Sequence, residues 1–95
     1  MSIDEQAVAE LCAKYEVRVL RVFGSVARGE DSEESDLDLL VEFAGEKSLF
    51  DLIGLQLDLE ERLGRKVDLA TPSSISPYIR EQVFQEARVL YESAA

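Results

Sequence analysis

The feature that most constrains the fold is an apolar run that stops at Gly24-Ser25, followed ten residues later by Asp36-Leu37-Asp38 at the head of a second apolar run. Val17 to Phe23 is rich in β-branched and apolar residues and reads as a strand. Gly24 ends it, because glycine adopts backbone angles that other residues avoid. Ser25 to Arg28 reads as a short helical turn. Residues 29–35 form a polar, acidic loop with Glu30, Asp31, Glu33 and Glu34. Leu37 to Phe43 is the second strand, and Gly45 breaks it.

The flanking sequence supplies the cover for such strands. Ala7, Val8, Leu11 and Cys12 form an apolar stripe over a helix from Asp4 to Lys14, with Ser2 or Asp4 at its start. Ser48 is a fitting N-cap for a helix from Leu49 to Leu63 that Gly64 stops. Leu49, Leu52, Ile53, Gln56, Leu59 and Leu63 lie on one side of it, and Leu55 and Leu57 widen the apolar surface. Lys66 to Ala70 is a short third strand, and Thr71 to Ser74 is a turn. Ser76-Pro77 predicts the start of a last helix. Ile79, Val83, Ala87 and Tyr91, spaced by four, predict that it continues to the C-terminus, helped by Phe84 and Leu90. The expected fold is α/β (α+β): a small mixed sheet of about three to four strands covered by helices, in the order α-β-α-β-α-β-α. Residues 1–95 read as a single domain.

Composition narrows the function. A hydrophobic fraction of 46% is ordinary for a globular chain. No apolar run is long enough to span a bilayer. The first residues lack the basic segment and apolar core of a signal peptide, so the expected location is the cytoplasm. There is no histidine, which excludes His-based triads, and the lone Cys12 reads as a small core residue. Twenty acidic against ten basic side chains give a net charge of −10. That charge repels a nucleic-acid backbone and suits a basic protein partner or divalent cations. Plain solubility would also account for it.

The chemistry concentrates in a few side chains. Side chains alternate along a strand, so Asp36 and Asp38 point the same way, roughly 6–7 Å apart at Cα. Two such carboxylates repel, and a hard cation such as Mg²⁺ relieves the conflict. Asp68, between Val67 and Leu69 in the third strand, joins them if that strand pairs alongside. Three acids around one or two Mg²⁺ suit phosphoryl or nucleotidyl transfer. Gly24 lets backbone approach a phosphate, Ser25 offers a hydroxyl, and Arg28 offers a charged fork one turn later. Gly-Ser, D-x-D or Asp68 alone is an ordinary surface pattern; the combination is not.

The stretch Gly24-Ser25-Val26-Ala27-Arg28-Gly29 with Ser35-Asp36-Leu37-Asp38-Leu39-Leu40-Val41 closely resembles the nucleotidyltransferase superfamily that includes DNA polymerase β. The short length, Val67-Asp68-Leu69 and the segment after Pro77 resemble its minimal nucleotidyltransferase domains, found in prokaryotes as antitoxin partners of HEPN-domain ribonuclease toxins. The resemblance implies a polymerase β-like core with Mg²⁺ held by Asp36 and Asp38. It implies that Asp68 helps to activate the acceptor hydroxyl, and that Gly24 and Ser25 hold the β- and γ-phosphates of ATP. It further implies transfer of AMP to a tyrosine of a HEPN toxin. Two alternatives stay open: an antitoxin that neutralises its partner by binding alone, and a small-molecule nucleotidyltransferase. No basic patch with interleaved aromatics is visible, so a direct nucleic-acid acceptor is not expected. The Leu49–Leu63 helix is a candidate docking or homo-oligomer face, unless both of its sides are buried. The last helix, with Tyr78, Phe84 and Tyr91, is a second candidate face.

Overall fold

The computed structural model describes residues 3–29 and 36–93. The acidic loop expected over residues 30–35, the Ser2 cap and the Ser25 side chain lie outside the described portion. Helix α1 spans Glu5–Lys14 and is capped by Asp4, whose Oδ1 accepts from the Ala7 N–H at 3.1 Å. Strand β1 spans Val17–Phe23, and the short helix α2 spans Gly24–Ala27. Strand β2 covers Leu37–Phe43. Helix α3 runs over Leu49–Leu63 between a reciprocal Ser48–Asp51 capping box and Gly64, which sits at a φ of 68°. Strand β3 is Val67–Ala70, and a 3-10 turn follows over Pro72–Ser74.

The end of the chain departs from the sequence pattern. Helix α4 is only Arg80–Glu86, and Arg88–Glu92 forms a fourth strand, β4. Ser76 and Pro77 make a turn instead of the first helical residues: Ser76 Oγ accepts from Tyr78 N–H at 3.3 Å and its carbonyl from Ile79 N–H at 3.1 Å. The four-residue spacing of Ile79, Val83, Ala87 and Tyr91 also fits a short helix followed by a strand. The deciding force is the open edge of β1, whose backbone groups gain a partner from β4.

The sheet order is β3-β2-β1-β4. Strands β1 and β2 are antiparallel, as are β1 and β4, while β2 and β3 are parallel. A parallel pair needs a crossover, and α3 provides it. One sheet face carries the core: Leu20, Val22, Leu37, Leu39, Val41, Val67 and Leu69 pack with Val8, Leu11, Leu55 and Leu59 of α1 and α3. Cys12 is buried there, and burial pushes its thiol up to about 12. The other face is polar at the head of β2 and is partly covered by α2, the 3-10 turn and α4. On it Arg21 pairs with Glu42, and Phe84 of α4 stacks over the Arg21 guanidinium at 5.1 Å.

Candidate functional site

The site forms where β1 ends and β2 begins. Phe23 pairs with Asp38, so the chain turns into α2 directly beside that carboxylate. Gly24 makes the turn at a φ of 71°. A Cβ on Gly24 would overlap Asp38 Oδ2, so glycine is required here by backbone angle and by space together. The first N–H groups of a helix have no carbonyl partner within it, and Phe23, at the N-cap, gives those of α2 no side-chain cap.

The parallel pairing brings Asp68 beside Asp38. Asp38 and Asp68 are direct register partners across β2 and β3. Neighbouring parallel strands lie about 4.8 Å apart, and paired residues share a face. Both acids therefore stand side by side on the polar face of the sheet. Asp36 sits exposed, one residue before β2. Asp38 is half-buried, and its carboxyl is pushed above the usual range by burial, then by the charges of Asp68 and Asp36. Arg28 opposes that shift, so its guanidinium also acts on this carboxylate. Arg28 contacts Glu86 of α4 at 3.4 Å, which ties the α2 turn to the C-terminal segment.

Of the residues singled out in the sequence, Gly24, Arg28, Asp36, Asp38 and Asp68 gather at one end of the sheet. Glu86 was not foreseen. It lies 58 residues from Arg28, and no local pattern joins the two. Glu42 was also missed, although it follows Asp38 by four residues on the same strand face. It takes both Arg18, at 2.7 Å, and Arg21.

The donor set fits a hard divalent cation in kind. All three side chains are carboxylates; Asp38 is pushed up first by burial and then by the charges of Asp68 and Asp36, and a cation would relieve that charge repulsion. Among the described residues, no three acids have side chains already converged on one point. The backbone register supplies the adjacency of Asp38 and Asp68.

Comparison with known proteins shows the family and the fold. A family model for polymerase β nucleotidyltransferases matches residues 6–95. Protein adenylyltransferase MntA of Thermococcus cleftensis is 44% identical over 77 residues, covering 81% of this chain and 78% of that protein. The solved structure of a protein provisionally assigned as a minimal nucleotidyltransferase is 49% identical, with a TM-score of 0.78 over 88% of this chain and 86% of that one. The fold also matches the structure of a tri-AMPylated Shewanella oneidensis HEPN toxin in complex with MNT antitoxin. There the TM-score is 0.69 at 22% identity, over 94% of this chain and 70% of that one.

Proposed function

This chain belongs to the polymerase β nucleotidyltransferase family and is a nucleotidyltransferase, and on that premise we propose that it transfers AMP from ATP to a hydroxyl of a partner protein, with Mg²⁺. The observation that carries this reading is the in-register pair Asp38 and Asp68 with Gly24 closed against Asp38. Asp36 and Asp38 would hold the cation, with Asp68 beside them. When bound, Mg²⁺ offsets phosphate charge and polarises the reacting oxygens.

The protein's own residues do the rest. The turn at Gly24 and Ser25 receives the β- and γ-phosphates, and Arg28 adds a positive charge held by Glu86. Asp68 accepts the proton of the incoming hydroxyl. That oxygen forms its bond to the α-phosphorus. The bond from the α-phosphorus to the bridging oxygen breaks, and pyrophosphate leaves with the electron pair. The acceptor is expected to be a tyrosine of a HEPN-type toxin, and the setting cytoplasmic. The relatives named protein adenylyltransferases and the fold match to a toxin–antitoxin complex support that assignment. No helix among the described residues is long and apolar enough to cross a membrane.

A second reading, an antitoxin that acts by binding alone, is favoured by the net charge of −10. One experiment separates the two. The protein is incubated with α-labelled ATP, Mg²⁺ and the protein encoded beside it. Label on that protein, lost in Asp38→Asn, is expected. A partner that stays unlabelled yet is neutralised equally by wild type and Asp38→Asn would establish the binding reading instead.

A further inference from the structure

Most of the large apolar side chains exposed on the described surface gather on one helix. Leu49, Phe50, Ile53 and Leu57 of α3 are 68%, 86%, 46% and 57% exposed. Their spacing draws one stripe about 12 Å long at the helical rise per residue. It points away from Leu55 and Leu59, which are fully buried under the same helix.

Two contacts fix where the stripe faces. On one flank, the Tyr15 hydroxyl donates to Asp58 Oδ2 at 2.6 Å and ties α3 to α1. On the other, Glu60 Oε2 accepts from the Val67 N–H at 2.9 Å. Glu60 follows Leu57 by three residues and Ile53 by seven, so the stripe borders β3. Strand β3 is the sheet edge and carries Asp68. The Lys66 carbonyl bonds to Leu37 of β2, so by alternation Val67 turns its N–H outward, and Glu60 covers that edge donor.

Glu60 and Glu61 follow Leu57 by three and four residues, so acids flank the C-terminal end of the stripe. Of the cations beside α3, Lys47 pairs with Glu16 and Arg62 with Glu10, while Lys66 is exposed just before β3. We propose that this stripe docks a protein partner presenting an apolar helical ridge bordered by lysine and arginine, and that the docked partner reaches Asp68 around the β3 edge. The proposal rests on the reading that the acceptor hydroxyl arrives on a protein. A second copy of this chain fits less well, because two acid-flanked stripes on two chains of net charge −10 would meet. The stripe alone also falls short of the roughly 800 Å² per partner that a stable interface buries. Its occupant must extend past the helix, and the adjoining surface is the β3 edge.

The test uses the full chain and the protein encoded beside it. Calorimetry gives the affinity, and transfer of label from ATP gives kcat and KM. Phe50→Glu with Leu57→Glu is expected to weaken binding about 100-fold and to raise KM for the partner equally, with kcat unchanged. Phe50→Ala with Leu57→Ala should weaken it about 10-fold without adding charge. All four changes are at exposed positions, so circular dichroism should match wild type. Asp38→Asn should bind within about threefold of wild type. Stripe variants that bind like wild type, or a wild-type chain that does not bind this protein, overturn the proposal. So does a wild-type dimer in sedimentation that the stripe substitutions dissolve, since the occupant is then a second copy. If stripe variants lose binding but Asp38→Asn still transfers AMP, the docking face stands and the catalytic reading falls. If Asp38→Asn is inactive but stripe variants bind normally, the reverse holds.

Discussion

The two faces of the central sheet are built from the same strands, one residue out of phase. On one face Leu37, Leu39 and Val41 disappear under α1 and α3. On the other, Asp38 and Asp68 stand side by side, with Asp36 close enough to raise Asp38 further. The first face stabilises the fold by removing apolar surface from water. The second works against it, because like charges at neighbouring positions repel. The difference teaches that core residues and candidate site acids alternate at the head of a single strand, while just beyond Leu39 both faces are buried, at Leu40 and Val41. A substitution at residue 38 should therefore act oppositely to one at residue 39.

Asp38→Asn should have the largest effect on activity. Losing one cation ligand and its share of transition-state charge stabilisation should lower AMP transfer by about 10³-fold or more in the labelled-ATP assay. Leu39→Ala should have the largest effect on stability, about 2–5 kcal/mol read by denaturant unfolding. The fraction that stays folded should keep its transfer rate within about threefold. A Leu39→Ala protein that is fully stable, or a folded one that is inactive, would break the division between the faces.

Gly24→Ala comes next. It places a Cβ against Asp38 Oδ2 in a backbone conformation that costs about 1–2 kcal/mol for other residues. The displaced carboxylate should lower transfer about 10²-fold, since a shift of about 1 Å at a reacting group is enough for that. Kinetics of the purified variant, together with its melting temperature, read both effects.

The smallest effect concerns the helix-covered face alone. Tyr15 is pushed up to about 12, first by its hydrogen bond to Asp58, and Asp58 is held below its usual range by the same bond. An unfolded tyrosine ionises near 10. The folded state therefore keeps a proton that the unfolded state has lost, and stability falls as pH rises from about 10 to about 12. Asp58 adds stability above its unfolded pKa, lost as pH falls through its lower folded value. Tyr15→Phe should flatten both limbs of a melting-temperature profile while leaving transfer at pH 7.5 unchanged. Cys12, raised to about 12 by burial, should keep part of the alkaline limb in that variant.

Much of this division is legible in the chain. The alternation over Asp36 to Leu39 is enough to separate acids from core residues, and β1, β2 and α3 fall where periodicity and capping residues put them. Gly24 announces a turn, although nothing local says that its missing Cβ makes room for Asp38. The adjacency of Asp68 is a property of strand pairing over 30 residues and needs the β2–β3 register. The Arg28–Glu86 contact is more distant still. The C-terminal segment misleads because its apolar residues fit a helix and a short strand equally well, and only the vacant β1 edge decides. On α3, apolar residues surround most of the helix; packing alone shows that Leu55 and Leu59 are buried while Phe50 and Leu57 are not.

The most direct test is the melting temperature of wild type and Asp38→Asn, each with and without Mg²⁺ and a non-hydrolysable ATP analogue. Without ligand, Asp38→Asn should melt higher than wild type, by up to roughly 4 °C, because a solvent-screened repulsion is relieved. With ligand, wild type should rise by several degrees through binding to the folded state, and Asp38→Asn should not rise. An Asp38→Asn protein that melts below wild type without ligand, yet gains as much from Mg²⁺ and nucleotide, would contradict the assignment of this sheet face to nucleotide chemistry.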